Sequence, residues 1–489
     1  MPDGSTPKPT TAPPPLWEVH KTIHPKAVSG YFRRLKWAVL AVLLGIFFVT
    51  PWLRWDRGAD APGQAVLFDL TQGRFFIFGI EIWPQEIYYL TGILIVAAVG
   101  LFLATALAGR VWCGFGCPHT VWTDLFIRIE HFFEGDRAER IRMERAPWTA
   151  KKIGRKAGKH AFWLLVSAVS AFGFCAYFTD APQLATDIAT LNVSSDALTF
   201  LGLFMFSTYG MAGWAREQMC YYMCPWPRIQ TAMLDEHSLV VTYQAERGDS
   251  RGPKRKSETW EERAARGLGD CIDCGQCVQV CPMGIDVRSG EQADCINCGL
   301  CVDACDSIMM QVGRPLGLIK FDTLANLAAP APAKAAYKVP VMRARTMIYL
   351  GVMGVVLTLM TVVFTNRSHT DVAVLRDRAP LFVTLSDGSI RNGYTFKVAN
   401  KSREDRVYDL AVKGLPGAEV NVIGEGEGEH EQAGGMHIKA APDSVATYRV
   451  YVKAPRASVT AASTPLTFTL SETGGREKDS YTSVFLGPN

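Results

Sequence analysis

Five stretches of this chain run for membrane-spanning length with no charged side chain: Trp37 to Leu53, Ile87 to Gly109, Ala161 to Thr179, Ala197 to Ala215 and Thr346 to Thr365. A bilayer core of about 30 Å takes about 20 apolar residues as helix. A backbone in hydrocarbon satisfies its own polar groups only as helix or closed barrel. Each stretch is therefore expected to be a transmembrane helix. The first is the shortest and contains Pro51, which a helix end tolerates, with Trp52 and Trp55 suited to the interface. It does not read as a cleaved signal peptide, because the apolar run starts late, after a Pro-rich leader from Met1 to Leu16, and no small-x-small pattern follows.

The basic residues orient the spans. The leader through Lys36 carries 6 Lys and Arg, Arg110 to His160 carries 11 and Arg216 to Arg345 carries 16, against 3 in Arg54 to Gln85 and 0 in Asp180 to Asp196. Basic loops stay in the cytoplasm, so the N-terminus is expected inside and the segment after the fifth span outside, in the bacterial inner membrane. The 13 Cys, except Cys175, then fall on the cytoplasmic side, and residues 366–489 hold none. Disulfides are not expected there, and thiols in the cytoplasm point to metal or redox chemistry. Cys175 reads as a small packing residue. A net charge of +4, from 51 basic and 47 acidic residues, argues against a disordered chain and against a nucleic-acid partner.

Between the fourth and fifth spans lies Cys271-x2-Cys274-x2-Cys277-x3-Cys281-Pro282, followed by Cys295-x2-Cys298-x2-Cys301-x3-Cys305. Three thiolates at two-residue gaps wrap three corners of a cubane, and the fourth Cys of each run goes to the other cluster. The expected sets are Cys271, Cys274, Cys277 and Cys305 on one 4Fe-4S cluster, and Cys295, Cys298, Cys301 and Cys281 on the other. Zinc knuckles are the rival, disfavoured because structural zinc gathers separated pairs of ligands rather than four crowded Cys.

Two further pairs stand at span ends: Cys113-Gly114-Phe115-Gly116-Cys117-Pro118 and Cys220-Tyr221-Tyr222-Met223-Cys224-Pro225. Both are C-x3-C-P, both follow an Arg (Arg110, Arg216), and the second repeats the first after 107 residues. The chain is thus expected to contain a duplicated unit of two spans and a Cys motif, with four thiols converging about a pseudo-two-fold axis. Pro after the second Cys suits the first turn of a helix, where a thiolate is favoured. Soft thiolate and thioether ligands select Cu(I), zinc or iron–sulfur chemistry. Cys113, Cys117, Cys220 and Cys224 are therefore candidate metal or redox residues, with His119, Met219 and Met223 as weaker candidate ligands that read first as packing residues. Glu81, Trp83, Glu86 and Tyr89 suggest a quinol site, but read first as an aromatic belt with interface carboxylates.

From about Asp371 the pattern becomes short alternating runs broken by turns: Leu381 to Thr384, Tyr394 to Val398, Thr447 to Val452 and Leu466 to Leu470. This reads as an immunoglobulin-like β-sandwich, with Gly424 to Gly435 as a loop. The expected organisation is a multi-domain membrane protein. Residues 1–35 form a cytoplasmic leader and 36–240 four spans of a five-helix bundle. A polar linker (241–268) precedes a cytoplasmic ferredoxin-like α+β insert with two 4Fe-4S clusters (269–320). A second linker (321–345), the fifth span (346–365) and a periplasmic immunoglobulin-like domain (371–489) follow.

Taken together these motifs resemble one family, the FixG/RdxA/CcoG accessory proteins of cbb-type cytochrome oxidase. The resemblance rests on Phe32-Arg33-Arg34-Leu35-Lys36-Trp37, on Trp112-Cys113-Gly114 with Cys117-Pro118 and Thr120-Val121-Trp122, and on Met223-Cys224-Pro225 with Gln230 to Asp235. It continues through Asp270 to Met283, Cys295 to Met310, Gly313 to Ile319 and Arg391 to Tyr394. His119 departs from it, since most relatives are expected to carry Gln there. The resemblance implies a membrane polyferredoxin that reduces Cu(II) to Cu(I) for the oxidase's copper centre. Its implied partners are membrane lipid, a cytoplasmic electron donor, a copper-exporting ATPase and oxidase-assembly components; a homodimer is a further expectation. Two rivals remain: a quinol-linked electron conduit, with the C-x3-C-P cysteines as thiol relay or third metal centre, and a non-enzymatic assembly scaffold.

Overall fold

The structure is a computed structural model that describes residues 22–58, 61–329, 339–368, 370–402, 404–424, 437–442, 444–459, 461–473 and 478–488. The Pro-rich leader to Leu16 and residues 425–435 of the Gly/Glu-rich stretch lie outside the described residues.

Five helices are long and apolar enough to cross a membrane: Tyr31–Trp52, Tyr88–Ala108, Ala150–Cys175, Ser195–Ala215 and Ala344–Thr365. They coincide with the charge-free stretches, but the first begins six residues and the third eleven residues before its stretch does. In both cases the early turns carry basic side chains that find acids on a neighbouring helix, Pro118–Glu134. Arg33 and Lys36 meet Asp124 at 2.8 and 3.5 Å. Lys159 meets Glu134 at 2.9 Å and Glu130 at 3.9 Å. A charge so paired does not end a helix, although it ends a hydropathy run.

The segment joining the first two spans folds into an antiparallel sheet, β1 (Val66–Asp69), β2 (Arg74–Ile77) and β3 (Ile80–Ile82). Arg57 is buried beside it and donates to the carbonyls of Phe78, Pro62, Gln64 and Ala65, each at 2.7 Å. The residues weighed as a quinol site serve this fold. Arg74 lies over the Trp83 ring at 4.0 Å and pairs with Glu81 at 3.3 Å, while Glu86 accepts from the Trp83 backbone N–H at 3.2 Å.

Around the eight clustered cysteines, β4 (Val240–Tyr243) pairs antiparallel with β5 (Ile319–Asp322), closing the segment at both ends. The stretch 241–268, expected to be a solvated linker, packs against the cluster domain. Arg263 is fully buried and donates to the carbonyls of Gly269, Pro253, Gly252 and Cys271. Its charge is satisfied by backbone alone, which charge patterning does not reveal.

The C-terminal unit is a two-sheet sandwich. One sheet runs β10 (Glu419–Gly424), β12 (Ser444–Ala454), β8 (Ile390–Asn400) and β6 (Thr370–Arg376), with β7 (Val383–Thr384) beside β8. The other runs β11 (His437–Ala440), β9 (Arg406–Lys413), β13 (Ser463–Glu472) and β14 (Lys478–Leu486). Tyr394, Phe396 and Val398 point inward from β8 with strand periodicity, and Phe468 from β13 meets the Tyr394 and Phe396 rings edge-on at 5.0 and 4.8 Å.

Candidate functional site

The two C-x3-C-P motifs have the same local backbone. Trp112–Gly116 and Met219–Met223 are each one π-helical turn, with Cys113 and Cys220 as second residue. Each turn is closed by an i to i−5 bond: the Cys117 N–H donates to the Trp112 carbonyl at 2.8 Å, and the Cys224 N–H to the Met219 carbonyl at 2.7 Å. Both second cysteines then leave in extended geometry. Cys117 caps the helix Pro118–Glu134, and Cys224 stands one residue before the cap of the helix Trp226–Met233. Wide turns of this kind recur at functional sites, where one extra residue re-aims a side chain.

The turns bring their thiols into one electrostatic neighbourhood. Burial pushes the Cys113 thiol up to about 12, with Cys117, Cys220 and Cys224 adding to the effect. Burial likewise lifts Cys220 to about 12, with Cys117 and Cys224 beside it. At neutral pH these two are therefore protonated unless something cationic replaces the proton. The Cys113 thiol donates to Gln230 Oε1 at 2.9 Å, and Gln230, fully buried, donates in turn to Thr105 Oγ1 at 3.1 Å.

Of the weaker candidates, His119 places Nε2 2.7 Å from the Arg216 carbonyl oxygen. That oxygen only accepts, so the ring proton sits on Nε2 and Nδ1 keeps the lone pair. Met219 is half-buried, and Met223 is 69% exposed. Cys175 is buried in the third span.

The eight ferredoxin-type cysteines line two adjoining spaces. One is bordered by Cys271, Cys274, Cys277 and Cys305. The other is bordered by Cys281, Cys295, Cys298 and Cys301, with Cys277 at the shared wall. Each space thus takes three cysteines from one run and the last from the other, the sets expected from cross-ligation. Gly275 and Gly299 make the turns at φ +65° and +74° that aim the following residues inward. Apolar walls and soft donors suit iron–sulfur clusters. Among the described residues no three His, Cys, Asp or Glu side chains are gathered as for a single metal ion. A four-iron cluster holds its thiolates further apart than one ion does.

The C-x3-C-P site and the second cysteine set share one core. Cys113 packs with Val280, Met283, Ile296, Cys298 and Leu300, and Cys220, Tyr221, Cys281 and Cys301 lie against the same cluster. The two segments also meet through backbone: a Cβ at Gly114 would stand 2.6 Å from the Ile296 carbonyl oxygen, and the Tyr221 side-chain O–H donates to the Met283 carbonyl at 2.7 Å.

Arg110 and Arg216 stand in the sequence as basic flanks of spans. Both are buried. Arg110 donates to the carbonyls of Ala293 and Cys295 and to Thr231. Arg216 meets Glu130 at 3.3 Å within a buried network that also holds Arg140 and Lys159. Arg110 stands three residues before Cys113 and Arg216 four before Cys220, and an Arg just ahead of each motif was the available signal.

A family model described as "4Fe-4S dicluster domain" matches residues 215–324, one described as "4Fe-4S binding domain" matches 90–156, and one described as "IG-like fold at C-terminal of FixG" matches 360–488. The chain is 42% identical over 499 residues to "Nitrogen fixation protein FixG" of Rhizobium meliloti, covering 97% of this chain and 94% of that protein. It is 45% identical over 470 residues to "Protein RdxA" of Cereibacter sphaeroides, covering 95% and 96%. To "Protein RdxB" of the same organism it is 47% identical over 407 residues, covering 83% and 84%.

Proposed function

Since this chain belongs to the FixG/RdxA family and carries 4Fe-4S binding domains, we propose that it is a membrane-bound reductase that converts Cu(II) to Cu(I) for assembly of a cbb-type oxidase. The observation that carries this reading is the core shared by Cys113 and Cys220 with Cys281, Cys298 and Cys301. It sets Cys113 and Cys220 directly beside a cluster site, with Cys117 and Cys224 in the same two turns, and the four thiols would draw together to hold one ion. Bound 4Fe-4S clusters would supply single electrons there.

The chain's own residues do the rest. Cys271, Cys274, Cys277 and Cys305 would hold the cluster that receives electrons from a cytoplasmic donor, and Cys281, Cys295, Cys298 and Cys301 the one nearer the membrane face. Cys113, Cys117, Cys220 and Cys224 would take Cu(II) as substrate, giving up thiol protons as they bind it. One electron makes it Cu(I), which the same soft donors favour and from which a copper-exporting ATPase would receive it. The basic-residue asymmetry supports an inner-membrane orientation with the clusters inside and the sandwich outside. The test is anaerobic: Cu(II) is added to reduced protein and loss of its EPR signal is timed. Cys117→Ser and Cys224→Ser are expected to slow it strongly, and wild-type rates in both would exclude the site.

One observation favours a second reading. The "4Fe-4S binding domain" match over 90–156 contains only Cys113 and Cys117. A third iron–sulfur centre on the C-x3-C-P cysteines would account for it. Iron and sulfide beyond the content of two clusters, lost in Cys117→Ser, would establish that reading over copper.

A further inference from the structure

A concave space of about 1400 Å³, its open mouth included, lies at the start of the first span beside the second cysteine set. Its walls carry Lys26, Arg33, Arg34 and Arg128 against a single carboxylate, Asp124. That carboxylate is already paired, with Arg33 at 2.8 Å and Lys36 at 3.5 Å. The space therefore holds a net positive field between low-dielectric walls, the condition that draws in and concentrates an anion. Arg34 and Arg128 are exposed, and among the described residues neither guanidinium has a hydrogen-bond or ion-pair partner. The helix end is not the source of attraction, because the N–H groups of Phe32 and Arg33 already bond to Asp303 at 3.1 and 2.7 Å.

Part of the lining is apolar. Val280 and Pro282 flank Cys281 in sequence, and Leu300 precedes Cys301. Two unpartnered guanidiniums and apolar side chains lining one space fit a ligand with a phosphate at one end and a hydrophobic body at the other: the planar fork binds phosphate oxygens bidentately, and the body covers the apolar lining.

We propose that this cavity binds a phosphate-bearing ligand, its phosphate on Arg34 and Arg128 and its apolar body on Val280, Pro282 and Leu300 over the Cys281 turn. The same chemistry is offered by an anionic phospholipid headgroup and by a soluble phosphorylated cofactor. The site stands whatever the C-x3-C-P thiols hold, so its failure leaves the copper reading untouched.

Full-length protein in phosphatidylcholine nanodiscs is titrated with flavin mononucleotide, followed by flavin fluorescence, with riboflavin as the phosphate-free control. A parallel arm measures phosphatidylglycerol against phosphatidylcholine retained by the protein in native mass spectrometry. At least one phosphate-bearing probe is expected to bind, in competition with inorganic phosphate. It should weaken about tenfold or more in Arg34→Gln/Arg128→Gln, the loss of a charge-assisted contact. Preference for flavin mononucleotide over riboflavin assigns the soluble ligand, and retention of phosphatidylglycerol assigns the lipid. Arg128→Gln alone guards against misfolding of the double variant, judged by unchanged cluster absorbance. Equal behaviour of wild type and folded variants toward both probes, or no binding of either, overturns the proposal.

Discussion

Arg110 donates to the backbone carbonyl of Cys295 at 3.1 Å, across 185 residues of sequence. Its guanidinium is also near enough to Cys113 to be felt there, so one buried cation faces two cysteine sites. A fixed positive charge stabilises the more reduced, more negative state of a neighbouring cluster. Arg110→Gln is expected to lower the midpoint of the Cys281/Cys295/Cys298/Cys301 cluster by roughly 60 mV, a tenfold change for a one-electron couple. Arg110→Lys should keep most of the wild-type value. Potentiometric EPR titration reads this directly, and an unmoved midpoint would remove Arg110 from electronic tuning.

The spaces lined by the two mixed cysteine sets make a specific demand on single substitutions. Cys305→Ser should disturb the cluster held by Cys271, Cys274 and Cys277, and Cys281→Ser the one held by Cys295, Cys298 and Cys301. EPR of each variant, against a Cys274→Ser reference for the first cluster, tests the exchange. If Cys281→Ser matches the Cys274→Ser spectrum, each run binds its own cluster.

Gly114 permits the close approach of two backbones, since a Cβ there would meet the Ile296 carbonyl oxygen at 2.6 Å. Neither side is a flexible side chain that can yield. Gly114→Ala is expected to cost about 1–3 kcal/mol and to slow electron delivery to the C-x3-C-P site while iron content stays normal. Stopped-flow measurement of cluster oxidation by Cu(II) separates this from simple loss of clusters.

Asp124 fastens the first span to the helix Pro118–Glu134 through Arg33 and the buried Lys36. Burial alone would raise its carboxyl, but Lys36 and Arg33 outweigh that and hold it below the usual range. Because its folded value is depressed, its contribution is complete above about pH 4, the unfolded carboxylate range, and is lost as pH falls through the folded value. Asp124→Asn leaves Lys36 buried without its anion and should cost about 3–5 kcal/mol at neutral pH. Thermal unfolding in detergent should show the gap between wild type and variant closing as pH drops below 4. A constant gap would mean that packing, not charge, is what the substitution removes.

These relationships were unequally legible in the sequence. The spans show because bilayer solubility forbids unpaired charge, and β8, β12 and β13 show because their inward residues alternate. The thiols declare themselves by spacing, and the spaces they line group Cys281 with the second run and Cys305 with the first. What the sequence hides is polar satisfaction at a distance. Arg263, Arg57 and Arg110 look like surface charges until the carbonyls that surround them are known. Gln230 is an unremarked side chain until its neighbour proves to be the Cys113 thiol.

The apolar core that joins Cys113 to Val280, Met283, Ile296 and Leu300 means that the cluster segment is not a cassette. Cut at β4 and β5 and produced as a water-soluble module, it would present the greasy underside that normally rests on the Trp112–Gly116 turn. Its insulation from solvent is borrowed from the residues around Cys113 and Cys220.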